Sequence, residues 1–385
     1  MVLKCVWKRR RRLAIVLLMV VTLSGCQMYK AFNHIINLQE DNRESERKGV
    51  PRLEYYESMP ILHLYGSYAE MGEQYGTILK EQLQSLLVIG ERLFPKKKLE
   101  HYYTMADEID PMVPNDIRLF IKGMARVSGV PYRNLLALNI VPRTTCSVLA
   151  VWGEATADGE LLMGRNADYN FQRVNKALGI IVVKHPDKGL ATISSTFLGL
   201  AGSFTGMNEK GVSYGNMLVY NGKDNGVDTN GLSIQLLMHM GGEQSSSAKS
   251  MVEFLRDKRH MIPINVMCAD RNKAFVAELS PLATAVREGD KGVLAATNYF
   301  YASGMFENHV NERRFANLMM LSKKYHGELN LEHLQEAMHS ARQLNENLQC
   351  VLFEPAKMKM HVSMNRVPAS AGPFTEFDVK KLLNE

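Results

Sequence analysis

The stretch that decides the fold is CSVLAVWGEATADGELLMGRNAD, residues 146–168. Apolar and alternating runs flank Asp158 and Gly159, and an Asp-Gly pair between such runs is a strong signal for a β-hairpin. Cys146 would open one strand, and Arg165 and Asp168 would end the other. The pattern therefore predicts three chemically reactive side chains at one edge of a sheet.

Cys146 is a candidate nucleophile because of this neighbourhood. A cation close to a cysteine favours the thiolate, which is the reactive form. The alternatives are that Cys146 is a small buried core residue and that Arg165 and Asp168 form only an ion pair. The hairpin alone does not decide between them.

Residues 1–26 predict a lipoprotein signal peptide. Basic residues between Lys4 and Arg12 precede the apolar run from Leu13 to Leu23. That run of about 11 residues is shorter than the ~20 that a membrane-spanning helix needs, but it suits a secretory signal. The run ends in LSGC, which resembles the lipobox of bacterial lipoproteins, so we expect lipid on Cys26. A simple cleaved signal is the alternative.

The resemblance to bacterial lipoproteins also suggests a location. Gln27, which is not an aspartate, follows the cysteine. By analogy with lipoproteins of Gram-negative bacteria, this suggests an outer-membrane protein that faces the periplasm. The membrane would be a partner of the chain through the lipid on Cys26 alone.

Charge and cysteine content exclude some classes of partner. The net charge is +6, and the signal peptide alone carries six basic residues. The remaining chain is therefore balanced, which argues against binding to nucleic acid. The triplet Lys96 to Lys98 is interpreted as a solvated loop. Cys146, Cys268 and Cys350 remain after the signal, an odd number that leaves at least one free thiol, although a Cys268 to Cys350 disulfide stays open.

The rest of the chain predicts one large α+β domain. Residues 27–57 are polar and are interpreted as a tether, and 58–145 as a helical N-terminal segment with Asn115 as a helix cap. From residue 146 to 385, short strands surround helical blocks at 232–256 and 312–341. Strands, helices, strands and helices in this order favour two sheets packed face to face between helical layers, an αββα sandwich. The glycines at 66, 72 and 76 suggest close backbone packing.

Four motifs in order carry a family resemblance. They are the Cys146 hairpin, GMNEKG at 206–211, ATN at 296–298 and RF at 314–315. Together they resemble the N-terminal-nucleophile (Ntn) hydrolases of the penicillin acyltransferase type, peptidase family C45, which are related to conjugated bile acid hydrolases. The resemblance extends from about Ile61 to the C-terminus. It implies a four-layer αββα sandwich with an N-terminal helical pro-segment, and no cofactor.

The resemblance also implies a mechanism. The chain would cut itself before Cys146, leaving an α chain that ends at Thr145 and a β chain that starts at the nucleophile. The new α-amine, with a pKa near neutrality, would act as the base. The substrate would be the amide bond of a small N-acylated molecule, with an apolar acyl group as the family-based expectation.

The resemblance assigns the remaining roles residue by residue. Arg165 would favour the thiolate, and Asp168 would orient the cysteine amine. Asn298 would donate to the oxyanion, and Arg314 would brace the site electrostatically. Arg313 competes with Arg314 for the last role, because the sequence around them departs from the family pattern.

Several alternatives remain open from the sequence. A hydrolase and an acyltransferase differ only in what resolves the acyl-enzyme, and the sequence does not distinguish them. A non-catalytic envelope lipoprotein, which uses the same fold for binding or scaffolding, is the alternative of a different class. The histidines and cysteines show no paired spacing typical of a metal site.

Overall fold

The computed structural model describes Lys30 and residues 49–140, 145–168, 178–219, 227–305 and 312–385. The predicted signal peptide, Cys26 and most of the predicted tether lie outside the described residues. Residues 52–56, assigned to the tether, instead form a strand, so the folded region begins before residue 58. None of the helices in the described ranges has the length and apolar character needed to cross a membrane.

Two sheets form the centre of the molecule. One has nine strands in the order β1-β2-β5-β6-β7-β8-β9-β10-β11, and the other has six in the order β12-β3-β4-β13-β14-β15. The strands are β1 Arg52–Tyr56, β2 Met59–Gly66, β3 Thr145–Val151, β4 Leu162–Asp168, β5 Gly179–Pro186, β6 Thr192–Phe197, β7 Thr205–Asn208, β8 Ser213–Leu218, β9 Ile264–Ala269, β10 Ala274–Leu279, β11 Thr284–Glu288, β12 Val293–Ala296, β13 Asn347–Glu354, β14 Lys359–Met364 and β15 Thr375–Asp378.

Helices cover the outer face of each sheet, except for the short last helix, which packs into the core between the sheets. The helices are α1 Tyr68–Ile78, α2 Lys80–Leu93, α3 Lys96–Ile109, α4 Asn115–Ser128, α5 Tyr132–Ile140, α6 Ile234–Gln244, α7 Ala248–Arg256, α8 Arg313–Lys324, α9 Leu331–Ser340 and α10 Val379–Leu382. Helices α1–α5 share a core with the nine-stranded sheet, and so do α6 and α7. Helices α8 and α9 share one with the six-stranded sheet. A further apolar core fills the space between the sheets. The four-layer αββα sandwich is confirmed.

The segment before Cys146 is part of the nine-stranded sheet. Strand β2 pairs with β5 in parallel, and β1 extends the sheet at its edge. Helices α1 and α4 approach closely enough that a methyl group on Gly72 would lie 2.1 Å from Phe120 O. The prediction that glycines permit close packing is confirmed at Gly72 and Gly76. At position 66 the backbone has a φ of 98°, a conformation that favours glycine over other residues.

Some local predictions were wrong. The triplet from Lys96 to Lys98 begins α3 instead of lying in a loop, and its helix follows directly on Pro95. Asn115 is the first residue of α4, and Pro114 occupies the cap position. Pro114 has no side-chain acceptor, so α4 begins without a side-chain cap hydrogen bond.

Candidate active site

The hairpin of β3 and β4 brings the candidate nucleophile into the layer between the two sheets. Cys146 is the second residue of β3 and pairs with Ala167 of β4. Its side chain is fully buried in the inter-sheet core. Arg165, on β4, directs Nη2 at the sulfur, and the Nη2 to Sγ distance is 3.1 Å. The predicted pairing of this cysteine with this arginine is therefore present.

The guanidinium of Arg165 is fully buried and is held by both sheets. Nη1 donates to Thr205 Oγ1 over 2.6 Å, and Nη2 donates to the carbonyl oxygen of Asn216 over 3.1 Å. Both acceptors are neutral. The Cys146 sulfur is the third partner of this guanidinium, so the cation and the sulfur are in direct contact inside the buried layer.

The backbone of Cys146 has a second set of partners. Its nitrogen donates to Asn298 Oδ1 over 3.0 Å, and its carbonyl oxygen accepts from Arg314 Nη1 over 3.0 Å. Arg314 Nη2 also donates to Asn298 Oδ1, over 2.8 Å. In the uncut chain the Cys146 nitrogen is thus held by Asn298, while the role of Asp168 in orienting the free amine stays a prediction.

The orientation of the Asn298 amide follows from its partners. Arginine can only donate hydrogen bonds, so the atom that faces Arg314 is the oxygen. The nitrogen, Nδ2, donates to the carbonyl oxygen of Leu218. The same amide group therefore accepts from the Cys146 nitrogen, while its nitrogen is the donor that could serve an oxyanion.

The two candidate arginines lie on different sides of the same helix. Both begin α8, but Arg313 lies on the outer side of the turn, whereas Arg314 is 4% exposed and contacts the Cys146 backbone. Arg314 Nε also donates to Glu312. Of the two arginines, Arg314 is the one that lies at the site.

Asp168 ends β4 directly opposite Thr145, the residue before Cys146. Its carboxyl group accepts from Asn347 Nδ2 over 2.8 Å and from the Gln343 amide over 3.2 Å, and Arg314 Nη1 lies 4.0 Å away. Complete burial raises the pKa of Asp168 to about 7, against the opposing effect of these donors. The carboxyl can therefore exchange a proton near neutral pH.

Sequence reasoning missed Thr205 and Asn347. Thr205 immediately precedes the GMNEKG motif, so its place in the chain was a usable signal. Asn347 belongs to no sequence motif, and only the pairing of β13 with β4 brings it to Asp168.

Cys268 and Cys350 are free and buried in different outer cores, so the possible disulfide between them is not formed.

One group of side chains within the described residues has metal-ligand chemistry. Donor atoms of Glu54, His63 and Glu385 all lie within 4.8 Å of one another. Arg52 donates to Glu54 over 2.9 Å and also to Glu385. The two carboxylates are therefore already compensated by an arginine, and an ion-pair network explains the group.

Comparison with known families agrees with this geometry. The family model for acyl-coenzyme A:6-aminopenicillanic acid acyl-transferase matches residues 155–366, more than half of the chain. The chain belongs to this family. Arg165, Asp168, Asn298 and Arg314 lie inside the matched range, and Cys146 precedes it.

Two curated relatives of this acyl-transferase family member are similar over part of their length. Protein dcd1B of Dictyostelium discoideum is 30% identical over 194 residues, which cover 42% of this chain and 39% of that protein. An uncharacterized protein of Archaeoglobus fulgidus is 25% identical over 191 residues, covering 40% and 32%. The alignments thus span about two fifths and one third of these relatives.

Solved structures of amide hydrolases resemble the family member more distantly. An ortholog of N-acylethanolamine-hydrolyzing acid amidase from Caenorhabditis elegans has a TM-score of 0.43 at 15% identity, over 55% of this chain and 93% of that one. A mutant of conjugated bile acid hydrolase from Clostridium perfringens has a TM-score of 0.43 at 13% identity, over 61% and 93%. Both scores lie below 0.5, so the assignment rests on the family match.

The contrast between the neighbouring arginines gives a first prediction. Arg314→Ala should lower the free energy of unfolding by about 3–5 kcal/mol, because it leaves buried partners, including Glu312, uncompensated. Arg313→Ala, one residue away on the outer side of α8, should change it by less than about 0.5 kcal/mol. Urea unfolding of both variants tests this, and equal effects would contradict the placement of Arg314.

The buried carboxyl gives a second prediction, on pH. A folded pKa of about 7 lies above the unfolded value of about 3.9, so the native state binds more protons between these values. Stability from this group is present below about pH 4 and is lost as the pH rises through about 7. The Asp168→Asn variant should not show this loss of stability as the pH rises. Urea midpoints of wild type and variant from about pH 4 to about pH 8 test it, and a constant difference would contradict it.

Proposed function

We propose that the chain is a self-cleaving cysteine Ntn hydrolase or acyltransferase, which breaks the amide bond of an N-acylated small molecule through an acyl-thioester on Cys146. One observation carries the proposal. The sulfur of Cys146 faces a buried guanidinium, and its backbone nitrogen is held separately by Asn298. A residue that serves as both nucleophile and base needs separate partners for these two atoms.

Self-cleavage would start from the uncut peptide bond. The Cys146 sulfur attacks the carbonyl carbon of Thr145, the C–N bond breaks, and the nitrogen takes up a proton as the α-amine forms. Water then hydrolyses the thioester and releases the Thr145 carboxylate. Asp168 pairs with Thr145 in register, and burial raises its pKa to about 7, which suits it to this transfer.

Turnover would use the same atoms. The thiolate attacks the substrate carbonyl, and Asn298 Nδ2 is the candidate donor to the oxyanion. The α-amine passes its proton to the leaving nitrogen, and water or another acceptor resolves the acyl-enzyme. Arg314 keeps Asn298 in place through the 2.8 Å bond to Oδ1 and contacts Cys146 O.

The two pieces are expected to stay together after cleavage. The N-terminal piece contributes β1 and β2 to the nine-stranded sheet. Asn139, near the end of α5, accepts from the amide of Ala201 over 2.7 Å and donates to Gly199 O over 3.1 Å. These contacts link the piece before the cut to the loop that leads into Thr205, and so to Arg165.

Attachment to the membrane is a further part of the proposal. The lipobox sequence ending at Cys26 supports lipidation and location in the bacterial cell envelope, with the outer membrane as the expected site. Lipid would be attached only to the N-terminal piece. The catalytic piece would then stay at the membrane through the strand and helix contacts between the two pieces.

Acyl-enzyme formation tests the proposed function. Wild type incubated with a fluorogenic N-acyl amide and quenched in acid should gain the mass of the acyl group on Cys146, and Cys146→Ala should not. Cys268→Ala is the matched control, because burial raises the pKa of that thiol and keeps it protonated. Hydroxylamine as acceptor separates transfer from hydrolysis. Equal behaviour of wild type and Cys146→Ala would support the non-catalytic alternative.

A further inference from the structure

A row of residues crosses the six-stranded sheet beside the nucleophile. Cys146 pairs with Ala167, Ala167 pairs with Gln349, and Gln349 pairs with Met364. Each of these residues lies at or within two residues of the end of its strand. Because neighbouring strands lie about 4.8 Å apart, the α-carbons of Cys146 and Gln349 are separated by about 10 Å.

The side chain of Gln349 belongs to the same face of the sheet as Cys146. Alternate residues of a strand share a face, and Val351 and Phe353 lie in the inter-sheet core together with Cys146. Cys350 and Leu352, between them, belong to the core under α8 and α9. Only the methyl group of Ala167 stands between Gln349 and Cys146 in this row.

Gln349 has no structural reason to be polar. Its side chain is fully buried, and neither Oε1 nor Nε2 has a hydrogen-bond partner in the part of the chain that the structure describes. Burying an amide without partners is costly, and an apolar residue of similar size would avoid that cost. A polar group in this position, aimed into the layer that contains the nucleophile, points to a ligand.

The geometry also indicates which part of a substrate reaches Gln349. Strand β12, which leads to Asn298, and strand β4 lie on opposite sides of β3. The Cys146 nitrogen is held on the Asn298 side, and this nitrogen must face the leaving amine. The acyl group therefore extends the other way, across Ala167 toward Gln349.

We propose that Gln349 is a specificity-determining residue that binds an uncharged polar group, a second amide, within the acyl part of the substrate. A carboxamide both donates and accepts, so another amide satisfies both of its ends, whereas a wholly apolar acyl chain satisfies neither. This inference rests on the proposed function. It differs from the expectation of an apolar acyl group, which stays a prediction.

Paired substrates test the inference. All share 7-amino-4-methylcoumarin as the leaving amine and an acyl chain of equal length. One chain is all carbon, and the others carry an internal amide at successive positions. Wild type should prefer the best amide compound about 10-fold or more in kcat/KM, because one satisfied hydrogen bond is worth about that factor. Gln349→Leu should abolish the preference, through a loss of kcat/KM for the amide compounds of about the same factor.

Gln235→Leu is the matched control. Gln235 is also fully buried with both amide atoms unpartnered within the described ranges, but it lies on α6, outside the nine-stranded sheet. It should leave the preference unchanged. If Gln349→Leu alters the preference no more than Gln235→Leu does, the inference is overturned. A self-cleaved wild type that hydrolyses no compound also overturns it, whereas a wild type that never cleaves contradicts the proposed function instead.

Discussion

The buried guanidinium of Arg165 is the constraint on which the site depends. A cation enclosed between two sheets is unfavourable unless its neighbours supply hydrogen-bond acceptors. Here β7 supplies the hydroxyl of Thr205, β8 supplies the carbonyl of Asn216, and β3 supplies the sulfur of Cys146. These contacts fix the guanidinium against the sulfur at the point where the two sheets meet.

A second network fixes the backbone of the same cysteine. Arg314 from α8 and Asn298 after β12 hold its carbonyl oxygen and nitrogen. Cys146 is thus positioned by elements far apart in sequence, and α5, which precedes it in the chain, contacts the loop before Thr205 through Asn139. These contacts fix the orientation of the Cys146 backbone in the uncut chain, and in the proposed mechanism they would also hold the α-amine.

The sequence predicted those features that local pattern controls. The Asp-Gly signal located the hairpin, and strand and helix order indicated the sandwich. Contacts between residues that are far apart in the sequence were harder to predict. Asn347 reaches Asp168 only through the pairing of β13 with β4. The choice between Arg313 and Arg314 depended on which residue of the first helical turn faces inward. The sequence gives no signal at Gln349, because its buried amide without partners is a property of the folded structure.

The central claim is that Cys146 becomes an N-terminus by its own reaction. Intact mass and N-terminal sequencing of purified wild type beside Cys146→Ala test it most directly. The account predicts a piece that begins at Cys146 in wild type and is absent from the variant, with both wild-type pieces separating only in denaturant. A wild-type protein that remains one uncut chain would contradict the account.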